Sequence, residues 1–457
     1  MKKIEMEDIV KYCAEYGYIF RGSDIYGGLA NTWDYGPMGV RLKNNIKDLW
    51  RKEFIQKNDN SYEIDAGILM NPRVWEASGH VDNFSDPMID CKDCKSRYRV
   101  DTFINNHDEN VDADNMSIEE MAAYIKDNNL SCQKCGSRNF TDIKKFKLMF
   151  ETNRGTTDKN TNTVYLRPEN AQGEYVNYSN VMRTMHEKLP FSIGQIGKAF
   201  RNEITPGNFT FRTVEFEQME FQTFCKKGQD SELYEFYKKK AMEFIKSLGI
   251  PDDKLRFHDH EKLAFYAKAA CDIEYQFPFG WGEVNGTHNR TDYDLSRHQE
   301  YSGKKLEYFD QVTGERFIPY IIESTCGADR LTLMAICEAL KKYDHNNTER
   351  IVLELSPELA PYKISVLPLI KKKHSGKALE IYKELRNYLM CYYDDSNSIG
   401  KRYRKSDAYG TPYAITIDDD TLEDNTVTIR NRDTMEQERI SVKEISEYAP
   451  HVLKKTK

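Results

Sequence analysis

The stretch that decides the fold is Ala199-Phe200-Arg201-Asn202-Glu203-Ile204-Thr205-Pro206-Gly207-Asn208-Phe209-Thr210-Phe211-Arg212-Thr213-Val214-Glu215-Phe216-Glu217-Gln218-Met219-Glu220. Between Phe191 and Phe224, two strand-like runs flank the turn-forming quartet Thr205-Pro206-Gly207-Asn208, so an antiparallel hairpin is expected. Side chains alternate across a strand. Alternation puts Arg212, Val214, Phe216, Gln218 and Glu220 on one face of the second strand, and Thr213, Glu215, Glu217, Met219 and Phe221 on the other. On the first strand Arg201 and Glu203 share a face. A single Arg/Glu pair is an ordinary solvated sheet surface. The full set points further, because a guanidinium recognises phosphate bidentately and an aromatic face can stack on a purine.

Downstream, Glu323-Ser324-Thr325-Cys326-Gly327-Ala328-Asp329-Arg330 falls at a strand-to-helix junction, where glycine permits close approach and an arginine can meet a polyphosphate. By itself Gly-x-x-Arg is an ordinary helix start. The chain has neither a Gly-x-Gly-x-x-Gly loop nor a Walker-type Gly-Lys-Ser/Thr, so any nucleotide is held by other means.

Upstream of the hairpin, Leu42, Ile46, Leu49, Trp50 and Phe54 fall at helical spacing from Gly39, and Tyr62 to Met70 reads as a strand stopped by Asn71-Pro72. Residues 86–150 are polar and carry cysteine pairs at their two ends, which reads as an insertion folded around its own metal. Asp230 to Leu248 and Leu331 to Leu340 read as helices, and Phe317 to Ile322 as a strand. Beyond Leu359-Ala360-Pro361, the strand Ile364 to Leu369, the helix Lys377 to Tyr392 and the strand Tyr413 to Ile417 suggest a separate α/β domain with a partly parallel sheet.

At 457 residues, 39% hydrophobic and 30% charged, the chain has room for two or three domains with their own cores. No run approaches the roughly 18 apolar residues of a membrane span, and the first residues lack the apolar core of a signal peptide, so a cytoplasmic address without a membrane partner is expected. The net charge of -7 argues against non-specific nucleic-acid binding, and no DNA partner is expected. Residues 361–457 carry 18 Lys/Arg against 15 Asp/Glu, a local +3 against -10 for the remainder. If RNA binds, that segment is the electrostatic foothold.

Four of the ten cysteines form two C-x-x-C pairs, Cys91/Cys94 and Cys132/Cys135, with 37 residues between them. That spacing suits a tetrahedral zinc thiolate site. The alternatives are a relic site without metal, and disulfide or redox use.

Taken together, these features resemble the class II aminoacyl-tRNA synthetases, whose motif 2 is an Arg-x-Glu on such a hairpin and whose motif 3 ends in arginine. Homodimeric glycyl-tRNA synthetases are the closer resemblance. It is carried by Tyr26-Gly27-Gly28-Leu29, Trp33-Asp34-Tyr35-Gly36-Pro37, Trp75-Glu76-Ala77-Ser78-Gly79-His80, Arg167-Pro168-Glu169, Arg290-Thr291-Asp292-Tyr293-Asp294-Leu295, Gly400-Lys401-Arg402-Tyr403 and Asp407-Ala408-Tyr409-Gly410-Thr411-Pro412-Tyr413, and covers nearly the whole chain.

The resemblance implies an α+β fold: an antiparallel-sheet catalytic domain in two parts (1–85 with motif 1, and 151–355 with motifs 2 and 3), the Cys-rich insertion (86–150), and an anticodon-binding α/β domain (356–457). It implies ATP with Mg²⁺, glycine, tRNA(Gly) and a homodimer built through motif 1. Arg201 would hold the α-phosphate, Glu203 read the adenine amino group, Phe216 stack on adenine, Arg212 clamp the triphosphate and Arg330 hold the far phosphates. Asn202, Phe211, Val284, Gly327, Ala328 and Asp329 would complete the ATP site, with Glu283 and Glu323 as magnesium carboxylates. For glycine, Glu169 and Glu220 would accept from the ammonium, with Phe216, Gln218, Glu323, Thr325 and Gly327 around it and Arg99 above it. Thr325 stands where the family has serine. The histidines His80, His260, His288 and His298 form no obvious cluster. Lys371-Lys372-Lys373 and Lys401-Arg402-Tyr403-Arg404-Lys405 would meet RNA phosphate and an unpaired base. Two other readings fit parts of the pattern: a class II synthetase for another small amino acid, and a non-catalytic nucleic-acid-binding paralogue, which should have lost Arg201, Arg212 and Arg330.

Overall fold

In the computed structural model, residues 4–108, 111, 113, 116–155, 162–203, 207–260, 263, 267–345 and 348–445 are described. Pro37 occupies the first position of helix α1 (Pro37–Trp50), where no N–H is needed. Leu42, Ile46 and Trp50 then recur on one fully buried face. The chain continues through a wider π turn, Arg51–Gln56, that buries Phe54. Strand β1 (Ser61–Glu63) is shorter than the run to Met70 expected from its apolar pattern. Past Ile64, the Ala66 carbonyl accepts from the Arg167 guanidinium (2.8 Å) instead of a neighbouring strand.

The insertion has its own small sheet, β2 (Ser85–Asp90) flanked by β3 (Arg97–Arg99) and β4 (Lys144–Lys147), and its own core around Ile89, Val100, Phe103, Ile104 and Met121.

The chain then builds α2 (Ala171–Met185), β5 (Phe191–Phe200), β6 (Glu215–Cys225), α3 (Asp230–Ser247), β7 (Leu255–Asp259), β8 (Ala269–Phe277), β9 (Gly280–Thr291), α4 (Tyr293–Ser302), β10 (Tyr320–Gly327) and α5 (Ala328–Ala339). These strands and β1 form one sheet in the order β7-β8-β9-β10-β6-β5-β1, antiparallel throughout except that β1 runs parallel to β5. One face carries Met219, Phe221, Val284, Ile322 and Cys326 into the main core with α1, α3 and α5. The other is polar. Over one end of it α2 and α4 pack Tyr175, Tyr178 and Leu295 onto Ile193 and Phe224.

The hairpin loop is longer than a four-residue turn. Strand pairing stops at Phe200 and Glu215, a bridge joins Gly207 to Arg212, and Phe209–Phe211 makes one 3-10 turn. Thr205 and Pro206 lie outside the described residues. Arg212 and Val214 therefore precede the strand in which alternation had put them.

The C-terminal sheet comprises β11 (Ile364–Pro368), β12 (Cys391–Tyr393), β13 (Tyr413–Ile417), β14 (Thr426–Asn431) and β15 (Gln437–Ser441) in the order β12-β11-β13-β14-β15, the first three parallel and the rest antiparallel. Its helices are α6 (Lys371–Leu385) and α7 (Ile399–Ala408). Helix α6 starts earlier than its apolar run suggests because buried His374 turns Nδ1 back to accept the Ile370 N–H (2.9 Å). It ends at Leu385, and Cys391 and Tyr392, expected as the end of that helix, form the edge strand with Tyr393.

Candidate active site

The register of β6 builds the site row by row. Gln218 lies between Gly197 and Gly327, Glu220 between Gln195 and Thr325, and Gln222 between Ile193 and Glu323. Gly197 is required: a Cβ there would come within 2.2 Å of Arg167 Nη2. Glycines beside Gln218 leave a hollow, and from it opens a cleft of about 130 Å³. Cations line the cleft: Arg201, Arg212 and Arg330 face Glu203, Phe211, Phe216 and Glu283.

These cations are held by partners a ligand can replace. Arg330 donates to the Phe211 carbonyl (3.1 Å) and to Glu283 Oε2 (2.9 Å), and stands 4.3 Å from the Phe211 ring centroid. Arg201 donates to the Pro168 carbonyl (3.0 Å) and lies 5.3 Å from the Phe216 ring and 5.4 Å from Phe84. Arg212 comes within 4.0 Å of Glu203. Partial desolvation in the cleft opposes ionisation of Glu283, whose side chain stays 46% exposed, but Arg330 prevails and holds its carboxyl below the ordinary value.

Two rows along β6, the charge reverses and burial deepens. Glu220 is 1% exposed, accepting weakly from the Asn170 N–H (3.3 Å) and from Gln222 Nε2 (3.4 Å). Glu323 accepts from Arg290 Nη1 (2.7 Å) and from Thr325 Oγ1 (3.1 Å). Arg290 also forks onto Asp294 at 2.8 and 3.0 Å. Glu169 accepts from Gln172 Nε2 (2.9 Å), lies 3.5 Å from His80 Nε2, and His80 in turn meets Ser78 Oγ at 2.8 Å. Burial would raise all three carboxyls. Arg290 and His288 hold Glu323 down to about 2, and His80 with Arg290 holds Glu169 well below the carboxylate range. Among the described residues no cation is ion-paired with Glu220, and burial with its neighbours Glu323 and Glu169 outweighs the pull of Arg290 and pushes it well above that range.

In the insertion, Cys91, Cys94, Cys132 and Cys135 bring their Sγ atoms within 4.8 Å of one another, with edges of 3.7 Å (Cys91 to Cys135) and 3.5 Å (Cys94 to Cys132). A tetrahedron with metal–sulfur bonds of about 2.3 Å has edges of about 3.8 Å. The four thiols could hold a metal ion.

Residues 145–339 match the family model for the "tRNA synthetase class II core domain (G, H, P, S and T)", and residues 363–451 match the "Anticodon binding domain". The chain is 53% identical over 454 residues to the protein named "Glycine--tRNA ligase" of Clostridium beijerinckii, covering 97% of each chain. It is 52% identical to those of Geobacillus kaustophilus, covering 97% of this chain and 98% of that one, and Staphylococcus saprophyticus, covering 98% and 99%. The chain belongs to the glycine-tRNA ligase family.

Most residues that the family resemblance implied converge on this glycine-tRNA ligase site, and several do not. Val284 and Ala328 point into the main core, at 1% and 0% exposure, so only their backbone can meet a ligand. Asn202 is absent from the cleft lining; its N–H donates to the Leu148 carbonyl (2.7 Å). Asp329 reaches the cleft, but its oxygens accept from Lys43 (3.3 Å) and from the Glu217 N–H (2.6 Å), a structural clamp between α1 and β6. Glu323 lies against Arg290, apart from the cleft lining, so of the two carboxylates expected to meet magnesium Glu283 alone lines the cleft. Arg99 is held by Asp101 (2.6 Å) and Asp86 (3.6 Å) beside the cleft. The pattern had left out Thr210 and Thr213, which line the cleft, and Arg290, His80, Gln172, Asp294 and His298, which set the pocket's charge. Three of the histidines given no role do take part: His80 beside Glu169, His288 3.8 Å from Glu323, and His298 on Gln172 (2.8 Å).

In the C-terminal sheet domain, Arg402 is buried and donates to the Pro368 carbonyl (2.5 Å), Tyr403 bonds Thr416, and Lys405 pairs with Asp394 (3.2 Å). Of that run, Lys401 and Arg404 remain exposed. Lys371 and Lys373 are paired with Asp395 and Asp419, and Lys372 is exposed.

Proposed function

We propose that the polar face around β6 carries out the family's two-step reaction: glycine and ATP give glycyl-adenylate and pyrophosphate, and the glycyl group then passes to the 3′ end of tRNA(Gly). The supporting observation is the register that sets Glu220, an ammonium acceptor, two residues from Gln218 at the floor of an arginine-lined cleft. Arg201 leaves Pro168 to take the α-phosphate, freeing the Phe216 ring for adenine, and Glu203 accepts from the adenine amino group. Arg212 and Arg330 take the outer phosphates. The glycine carboxylate is already ionised, so its oxygen attacks the α-phosphorus in line as the bond to pyrophosphate breaks, and no general base is needed. Catalysis is positioning plus neutralisation of charge on phosphate. Magnesium, an oxygen-binding cation, would neutralise the phosphates beside Glu283.

Glu169, Glu220 and Glu323 surround the ammonium, and the Thr325 methyl narrows the pocket against anything larger than glycine. Excluding larger amino acids sterically is easy, so no editing step is required. Zinc, held by the four cysteines, staples the two ends of the insertion. The extreme exposure of Ile25 and Tyr26 (91% and 86%), upstream of α1, supports a homodimer that covers this segment beside motif 1. Among the described residues no helix is long and apolar enough to cross a membrane, and none of the ten cysteines is joined in a disulfide, which suits work in the reducing cytoplasm. The catalytic parts are residues 1–85 and 151–355, with the insertion at 86–150 and the tRNA-reading domain at 356–457.

Pyrophosphate exchange measured with each amino acid tests the reading. Exchange is expected with glycine and to be lost in Arg201→Ala. Exchange with alanine or serine in place of glycine would overturn the specificity, and exchange with none would favour a binding paralogue.

A further inference from the structure

Glu174 has no part in the reaction described above, yet it stands in the first turn of α2, directly behind the ammonium pocket. It is fully buried, and neither carboxylate oxygen meets a hydrogen-bond partner among the described residues. The charges that act on it are Glu220 from β6, Glu323 from β10, and Arg167 and Glu169 from the segment before α2. Gln195, the cross-strand neighbour of Glu220, is also fully buried, and both its amide atoms lack protein partners. Gln195 Oε1 approaches the start of α2: it lies 3.4 Å from where a side chain on Gly173, the residue before Glu174, would begin.

The other sides of Glu220 are already held. Asn170 donates its N–H to Oε1, while Gln222 donates to Oε2 and accepts the Tyr175 hydroxyl (3.0 Å). Among the described residues no hydrogen bond joins Glu220 to Glu174 or to Gln195, whose side-chain polar atoms are left unsatisfied. An apolar side chain would fill position 174 without the desolvation cost that a buried carboxyl carries, so the acid weighs on stability unless the pocket uses it. Burial and the adjacent Glu220 push the Glu174 carboxyl well above the carboxylate range, which leaves it an O–H to give.

We propose that Glu174, paired with Gln195 across the buried space behind Glu220, is a positioning residue that holds Glu220 in the orientation receiving the substrate ammonium. The hydrogen bond runs from the Glu174 hydroxyl to Glu220, directly or through one shared water. The inference rests on the reading that Glu220 accepts that ammonium.

The test is pyrophosphate exchange by full-length Glu174→Gln, Glu174→Leu, Gln195→Leu and Glu220→Gln, titrating glycine and ATP separately and following thermal unfolding. Glutamine keeps a donor, so Glu174→Gln should hold the glycine KM within about threefold. Loss of one hydrogen bond to a charged group predicts a rise of roughly tenfold or more in Glu174→Leu and Gln195→Leu, with the ATP KM unchanged and unfolding of Glu174→Leu at the same or a higher temperature. The proposal falls if either leucine variant leaves the glycine KM untouched, if both substrates weaken equally, or if Glu174→Gln is as damaged as Glu174→Leu. Glu220→Gln separates the two levels. If it too leaves the glycine KM unchanged, the ammonium reading fails; if it alone raises KM, only the role of Glu174 fails.

Discussion

At the Phe216 end of the site, the cations are partly open to solvent (Arg212 at 41% and Arg330 at 24% of their side chains) and lean on carbonyls, rings and Glu283. At the Glu220 end, Arg290 is 7% exposed and locked onto Glu323 and Asp294 before any substrate arrives. The same β6 strand floors both. On the proposed reading, a polyphosphate repays the displacement of loose partners, so its cleft would be assembled by exchange, whereas an amino acid with no side chain offers little binding energy for rearrangement, so its pocket would be prebuilt.

Breaking the cleft should have the largest effect on chemistry. Arg201→Ala is expected to lower exchange by about a thousandfold, as loss of a donor to developing charge does, with the unfolding temperature unchanged. An unchanged rate would remove Arg201 from the phosphate.

Breaking the pocket should cost stability instead. Arg290→Leu leaves Glu323 and Asp294 buried without their cation, and a loss of about 3 kcal/mol is expected in denaturant unfolding. The contrast sharpens with Glu283→Gln, which removes the exposed partner of Arg330. There the stability change should stay below about 1 kcal/mol, because solvent screens such pairs. Equal losses from both variants would erase the distinction drawn between the two ends.

Acid should weaken the buried pocket more than the half-exposed Glu283–Arg330 pair of the cleft, which solvent screens. Glu323 and Glu169 are held below their ordinary value of 4.5, so the stability they add is present above that pH and is lost as pH falls, for Glu323 through about 2. Glu220 and Glu174 are raised, so their contribution is full below 4.5 and fades as pH climbs toward their raised values. Thermal unfolding followed from pH 5 to pH 2 should show the first effect, and Arg290→Leu should flatten it.

The smallest effect is expected at the pocket wall. Thr325→Ser keeps the hydroxyl that meets Glu323 and should move the glycine KM by less than about threefold, since one methyl in a pocket wall is a minor term. Exchange with alanine should rise in the same variant.

How much of this was legible follows from the range over which each signal acts. Alternation within β6 is local, so the shared face of Phe216, Gln218 and Glu220 could be read directly from the chain. Arg212 was misplaced because the loop takes over before the strand begins, and loops have no period. Arg290, His80 and His298 were invisible because their partners lie far along the chain, at Glu323, Glu169 and Gln172. The basic run from Lys401 misled for the opposite reason: charge alone suggested a surface, whereas helical period turns Arg402 and Ser406 inward together. Val284 and Ala328 came with the family motif although parity sends their side chains into the core.

The alternation along β6 gives that strand a reading frame. Each odd step from Glu217 to Phe221 faces the core helices and each even step from Gln218 to Gln222 lies on the polar face of the sheet, so removing one residue would not merely shorten the strand. It would move Met219 and Phe221 into the site and drive Glu220 into the core. Substitutions here can be graded, but length is all-or-none: natural and laboratory variants of this protein should change the letters of β6 and never their number.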